Sequence, residues 1–183
     1  MRRYLLWLVV GGLLMAVLAA ACDGGGGEES SSTAAPTGGA SATPTVLPFP
    51  FEGPVGIDLT TYGVFHQQGQ RVLFTVTIAA SASEPVTLYY RTTQRYDIVI
   101  TNTDGKEVWR WSKDKAFGEV LEQVSLQASQ TLSFDEPWDQ RGNDGQPVPT
   151  GNYTVTATST HCDANYENCG QLSTSGTIQI RAS

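Results

Sequence analysis

Short stretches of alternating apolar and polar residues follow one another along the chain from Arg71 onward. In residues 71–80, Val72, Phe74, Val76 and Ile78 fall on one face of an extended chain. Alternation of this kind, in runs rich in Val, Ile, Thr and aromatic residues, is typical of strands with one buried face. The same pattern recurs in residues 85–90, 95–102, 106–112, 131–138, 152–160 and 177–181.

Turn residues separate these runs. Asn102-Thr103-Asp104-Gly105 predicts a tight hairpin, and residues 143–145 and 149–151 also have turn composition. A helix is plausible only at residues 112–122, where Ser112 could cap the N-terminus of a short helix. The pattern therefore predicts an all-β fold, an immunoglobulin-like antiparallel β-sandwich of seven to nine strands, with a closed barrel as the alternative.

The N-terminus has the three parts of a secretory signal peptide. Arg2 and Arg3 precede an apolar run of about 15 residues, which is short for a membrane span, and then three alanines lead to Cys22. Residues 19–22 resemble the cleavage motif of bacterial lipoproteins, although Leu18 lies four residues before the cysteine and not three. We expect residues 1–21 to be removed and Cys22 to carry the lipid; an ordinary signal peptide or an uncleaved anchor is the alternative.

Residues 22–51 are dominated by Gly, Ser, Thr, Ala and Pro and show no apolar periodicity. Such a segment cannot bury enough surface to offset its chain entropy, and as a coil it would span on the order of 30 Å. We expect a disordered tether over 22–51 and one β-sandwich domain over 52–183. The predicted location is the extracytoplasmic face of the cell membrane, with the membrane contacted through the lipid on Cys22.

Charge and cysteine content agree with export. The net charge of −7 becomes −9 when the two arginines of residues 1–21 are removed, so nucleic acid is not an expected partner. Cys162 and Cys169 are predicted to form a disulfide, since such a pair usually oxidises outside the cytoplasm. The alternative is a metal site with His161, but adjacent residues on a strand point to opposite faces, so no metal is expected.

Catalytic motifs are absent from the sequence. The two histidines, His66 and His161, have no carboxylate placed beside them by any recognisable motif, and no phosphate-binding or zinc-protease motif occurs. No enzyme activity and no cofactor are therefore predicted. Residues 139–145 are read as a long hairpin turn and not as a calcium loop, because Arg141 stands where an oxygen ligand is needed.

The aromatic residues are predicted to be mainly structural, although they could line a carbohydrate or peptide groove. The set is Tyr96, Trp109, Trp111, Phe117 and Trp138. Arg110 lies between two of them, which suggests a cation–π contact.

Residues 84–158 resemble the BsuPI family, named for an intracellular proteinase inhibitor of Bacillus. The resemblance lies in the PVTLY strand at 85–89, RYDIV at 95–99, GKEVWRWS at 105–112, KAF at 115–117, WD at 138–139 and PTGNYTV at 149–155. The chain departs from the family pattern at residues 80–83 and 127–130. The Trp-to-Tyr portion of this stretch, taken alone, also looks like the immunoglobulin-like domain of flagellar hook-capping proteins.

The resemblance implies an immunoglobulin-like fold and a proteinase inhibitor whose partner is a protein, a serine proteinase in the first instance. An inhibitor presents an exposed loop, and the candidate loops are residues 139–149 and 162–169. Their candidate contact residues are Asp139, Arg141, Asn143, Asp144, Asn165 and Tyr166. The alternative is a non-inhibitory structural or protein-interaction module of the cell envelope.

Overall fold

The computed structural model describes residues 53–81 and 83–183. The predicted signal peptide, Cys22, the predicted tether and residue 52 lie outside the described residues. The described chain forms ten strands: β1 Val55–Thr61, β2 Phe65–Gln67, β3 Val72–Ala80, β4 Val86–Thr92, β5 Tyr96–Asn102, β6 Glu107–Arg110, β7 Glu119–Leu126, β8 Thr131–Trp138, β9 Gly151–Ser159 and β10 Ser173–Arg181. These residues contain no helix that could cross a membrane.

The strands form three sheets, with the orders β1-β3-β8, β2-β10-β9-β5-β6 and β4-β7. All strand pairs are antiparallel except β2 and β10, which run parallel. The predicted all-β immunoglobulin-like class is confirmed, with ten strands where seven to nine were predicted. Because the strands lie in separate sheets, the alternative of a single closed barrel is wrong.

The core lies between the sheets and is built from the predicted alternation. Val72, Phe74, Val76 and Ile78 of β3 are fully buried, with intervening residues partly exposed. The opposing sheet contributes an equivalent set from β5, β9 and β10: Tyr96, Ile98, Ile100, Tyr153, Val155, Ala157, Ile178 and Ile180. The period-two pattern therefore placed the buried face of these strands correctly.

The predicted hairpin between β5 and β6 is confirmed. The Asn102 side-chain oxygen accepts hydrogen bonds from the backbone N–H groups of Asp104 and Lys106, at 3.0 and 2.9 Å. Gly105 has a φ of 76°, a conformation that side chains disfavour, and its N–H donates to the Asn102 carbonyl. The turn thereby sets the register that brings Trp109 opposite Ile100.

The optional helix at residues 112–122 is wrong. Residues 111–114 form a turn, and the chain enters β7 at Glu119. β7 pairs along β4, with Leu126 opposite Val86 and Glu119 opposite Thr92. Pairing with a distant strand therefore supplies the backbone hydrogen bonds that an isolated short helix would have had to supply itself.

Candidate functional site

The first candidate loop, residues 139–149, is fastened at its base by a buried amide. Gln140 is 2% exposed; its Oε1 accepts from the Gly69 N–H at 2.9 Å, and its Nε2 donates to the Gln67 carbonyl at 2.8 Å. The Trp138 indole N–H donates to the Arg141 carbonyl at 2.9 Å. These contacts fix where the chain leaves β8 and hold the loop against the segment that follows β2.

The tip of this loop is a closed turn. Gly142 and Gln146 are joined by a backbone hydrogen bond of 2.8 Å, Arg141 donates to the Gly145 carbonyl at 2.7 Å, and the Asp144 carboxylate accepts from the Gln146 N–H. Asp139 and Arg141 form an ion pair at 3.6 Å with both side chains more than half exposed. The prediction of a long turn in this stretch is confirmed, and its backbone is folded back on itself.

Asn143 points inward and docks the loop on β6. Its Oδ1 accepts from the Arg110 N–H at 3.0 Å, its Nδ2 donates to Glu107 at 2.9 Å, and its own N–H donates to the Val108 carbonyl at 2.7 Å. Asn143 therefore has a structural role that the sequence did not indicate, while Asp139, Arg141 and Asp144 remain exposed.

The second candidate loop, residues 162–169, is closed by the Cys162–Cys169 disulfide. Inside it, the Asp163 carboxylate accepts from the N–H groups of Asn165 and Glu167, at 3.0 and 2.9 Å, and from the Asn168 side chain at 2.8 Å. These donors lower the pKa of Asp163. Because both cysteines are bonded to each other, neither is a thiolate ligand for a metal.

Tyr166 anchors this second loop to the β4-β7 sheet. Its ring meets the Tyr89 ring edge-on at 5.4 Å between centroids, and its hydroxyl accepts from Gln123 at 3.3 Å. Asn165 is exposed, and Tyr166 is half-buried with a φ of 60°. The loop is thus a compact turn, and whether any of the six candidate residues touches a partner stays a prediction.

The aromatic residues occupy the core and its border, as predicted. Trp138 is 1% exposed and lies 6.2 Å from Phe74, 6.0 Å from Trp109 and 6.4 Å from Tyr153, measured between ring centroids. Trp111 is partly buried. It stacks between Tyr96 and Phe117, at 4.4 and 5.7 Å.

Arg110 forms ion pairs, and the suggested cation–π contact is wrong. Its guanidinium lies 2.6 Å from Asp97 and 2.6 Å from Glu107. The cation that lies over a tryptophan here is Lys115, whose Nζ is 3.7 Å from the Trp111 ring centroid. The hydrogen bond from Arg110 holds the pKa of Glu107 below its usual value.

The two histidines are separate; His66 is buried and His161 is partly buried. Burial lowers the pKa of both, and the His161 Nδ1 is 2.8 Å from the Ser159 hydroxyl. His66 is 8% exposed and lies in β2. Within 53–81 and 83–183, no group of three or more His, Cys, Asp or Glu side chains could hold a metal ion.

A cluster of exposed apolar side chains was not foreseen from the sequence. Tyr62 is 65% exposed, Phe65 57% and Val64 39%, where the chain crosses from β1 to β2. Beside this crossing lies an apolar cleft of about 300 Å³ between the sheets, lined by Leu59, Phe74, Val155 and Ile178 among others. In the sequence this cluster corresponds to YGVF at residues 62–65. The stretch is short and is interrupted by a glycine, so it does not show the alternation that predicts a strand.

Comparison with known proteins decides the family. The family described as "BsuPI: Intracellular proteinase inhibitor" matches residues 59–162, more than half of the chain. This chain belongs to the BsuPI family. The match includes the Arg110 ion pairs, residues 139–149 and the exposed crossing at 62–65. No curated protein matches the chain.

Solved structures are similar at the level of the fold. The sporulation control protein Spo0M from Bacillus subtilis is 16% identical, with a TM-score of 0.43, over 72% of this chain and 51% of its own. The alkylpurine DNA glycosylase AlkC from Pseudomonas fluorescens is 20% identical, with a TM-score of 0.39, over 70% and 31%. The CARDB domain of PF1109 from Pyrococcus furiosus is 12% identical, with a TM-score of 0.38, over 70% and 94%. The chain spans about a third to a half of the first two proteins, and no functional conclusion follows from these likenesses.

Proposed function

We propose that this protein is a proteinase inhibitor that works outside the cytoplasm, tethered to the membrane by a lipid on Cys22. The observation that carries the inhibitory part is the family match over residues 59–162, in a family described as an intracellular proteinase inhibitor. The target in this proposal is a serine proteinase, and the inhibitor is not itself an enzyme. The net charge of −7 and the absence of a basic stripe in the sequence support a protein partner over nucleic acid.

The test of inhibition uses the full chain, purified in mild detergent and titrated into subtilisin with a chromogenic peptide substrate. The expected result is a stoichiometric or saturable loss of turnover at micromolar protein or below. Unchanged turnover at that concentration, with chymotrypsin and trypsin tested in parallel, would refute the proposal.

The tether is tested independently by Cys22→Ser. Without the thiol no diacylglycerol can be attached, so the domain should leave the membrane fraction or remain as uncleaved precursor. A substitution of the neighbouring Asp23→Ser is the matched control and should leave the mature protein in the membrane fraction. Mature, membrane-bound protein carrying Cys22→Ser would contradict the lipid anchor while leaving the inhibitory proposal standing.

A second candidate function is a non-inhibitory interaction module of the cell envelope. Strand β7 favours it, because among the described strands β7 pairs only with β4 and carries Val120 and Leu121 exposed at 43% and 62%. An unpaired strand edge can accept a strand from another protein. Crosslinking in intact cells from the exposed position 119 of β7 should then capture a protein partner, and Leu121→Lys in the same chain should abolish that capture without changing proteinase inhibition.

A further inference from the structure

The large apolar side chains that face solvent lie in two places. In the part of the chain that the structure describes, they are Tyr62, Val64, Phe65, Val120 and Leu121. Three of the five fall within four consecutive residues at the crossing from β1 to β2. Apolar groups that are clustered and exposed on a folded domain mark surfaces where a partner binds. The crossing segment, residues 61–65, is therefore the strongest candidate contact surface.

The crossing segment is held at both ends. At its start, Thr61 is the last residue of β1 and pairs with Phe74 of β3. At its end, the Val64 carbonyl accepts from the Gln179 N–H at 2.7 Å, and the Arg181 guanidinium covers the Phe65 ring at 3.5 Å from its centroid. A segment fixed at both ends loses little conformational entropy on binding, which is what an inhibitor needs.

The direction of the segment changes at Gly63. Its φ of 82° is accessible to glycine at no cost, and a Cβ placed there would meet nothing within 4 Å. The chain thereby leaves the sheet of β1 and joins the sheet of β10, with Tyr62 and Val64 on either side of the bend. Tyr62 is consequently the most exposed large apolar side chain of the described residues.

The two loops singled out from the sequence have a different geometry. Residues 139–149 and 162–169 close on themselves through the Gly142–Gln146 bond and the Cys162–Cys169 disulfide, and Asn143 and Tyr166 point back to the sheets. A proteinase cleft takes up an inhibitor as an exposed segment with a side chain free to enter the specificity pocket. The crossing segment offers an apolar side chain of this kind, whereas the exposed candidate side chains of the two loops are polar or charged: Asp139, Arg141, Asp144 and Asn165.

We propose that the crossing segment is the surface that meets the proteinase, and that Tyr62 enters the proteinase's specificity pocket. The inference rests on the inhibitory function proposed above and names the class of target. Residues 61–67 carry no acidic or permanently basic side chain, so the matching pocket is deep and apolar, as in chymotrypsin, and lacks the carboxylate of trypsin.

The experiment measures inhibition constants of the full chain and its variants against subtilisin, chymotrypsin and trypsin. Truncating a residue at the centre of an interface typically costs 2 kcal/mol or more, so Tyr62→Ala should raise the inhibition constant for the apolar-pocket enzymes by about 30-fold or more. Leu121→Ala, at nearly the same exposure on β7, is the matched control and should change it less than about 3-fold.

Tyr62→Arg tests the pocket itself. It should weaken inhibition of chymotrypsin and create inhibition of trypsin, a gain that a purely structural role of Tyr62 would not produce. Because Tyr62 is an exposed side chain, thermal unfolding of both variants should stay within about 2 °C of the parent protein.

The possible outcomes separate the two proposals. If the parent protein inhibits and Tyr62→Ala inhibits equally well, the crossing segment is not the contact surface and only this inference fails. If the parent protein inhibits none of the three enzymes, the proposed function fails and the inference with it. Light scattering of the same samples tests whether a second copy of the chain binds the crossing segment instead. A dimer that Tyr62→Ala dissociates, with inhibition unchanged, would assign the segment to self-association.

Discussion

The carboxylate of Asp97 joins β5 to the turn that follows β6, and its removal gives a quantitative test of the fold. Its Oδ2 accepts from the Arg110 Nη1 at 2.6 Å and from the Ser112 hydroxyl at 3.0 Å, and its Oδ1 accepts from the Ser112 N–H at 3.1 Å. The Asp97 side chain is 15% exposed and that of Arg110 is 40% exposed. Asp97 therefore ties β5 to both Arg110 and Ser112 of the WRWS motif.

We expect Asp97→Ala to lower the free energy of unfolding by about 2–3 kcal/mol. A hydrogen bond to a charged group contributes about 1.5–3 kcal/mol, but bonds to one acceptor are not additive, and solvent screens the exposed Arg110. Asp97→Asn keeps one acceptor oxygen and should lose about 1 kcal/mol. Asp139→Ala removes a longer ion pair with partners more than half exposed, and should lose less than about 1 kcal/mol.

The assay is equilibrium urea unfolding followed by tryptophan fluorescence, since Trp109 and Trp111 flank Arg110 in the chain. With a denaturant slope of about 1–3 kcal/mol/M, the Asp97→Ala loss moves the urea midpoint down by about 0.7–3 M. The Asp139→Ala control should move it by less than half as much. Equal midpoints for the two alanine variants would show that the Asp97 contacts do not stabilise the fold, and the reasoning would be refuted.

Two further predictions concern the chain around β9. Replacing Cys162 and Cys169 together by alanine opens a ring with a sequence separation of 7. The free energy of unfolding should fall by about 2–3 kcal/mol, which lowers the urea midpoint. An unchanged midpoint would mean that the ring does not restrict the unfolded chain. Burial lowers the pKa of His161 below 6.5, so the unfolded state binds the proton first and stability is lost as the pH falls below about 6.5. His161→Gln should therefore reduce the drop in midpoint between pH 7 and pH 5, and an unchanged drop would assign it to other groups.

The strands with one buried face were predictable because their information is local. In β3, β5 and β9 every second side chain enters the core, and the structure buries the residues that the alternation indicated. β7 was missed because Glu119, Val120 and Leu121 are all exposed, so that no alternation marks the start of this strand. Its conformation is set by pairing with β4, which lies more than 25 residues away. β2 has three residues and cannot show a period at all.

The candidate site was predictable only in part, and for a related reason. The sequence marks turns by their composition, so residues 139–149 and the disulfide loop were found. It does not show that Asn143 turns inward to Arg110 and Glu107, because those contacts join residues 33 and 36 positions apart. The exposure of Tyr62 likewise follows from the placement of β1 and β2 in different sheets. That placement is a property of the topology and not of the local residues.

The parallel pairing of β2 with β10 has a mechanical consequence. β2 lies near the start of the described chain and β10 is its last strand, so a force drawn between the start of β2 and the end of β10 pulls on opposite ends of the pair. The bonds from Gln179 N–H to the Val64 carbonyl and from Gln68 N–H to the Arg181 carbonyl then share the load in shear. They must break together, whereas the bonds of an antiparallel hairpin pulled from its open end break one after another. A force applied between residue 64 and the end of β10 would thus be resisted by these bonds together, next to the crossing segment that enters β2.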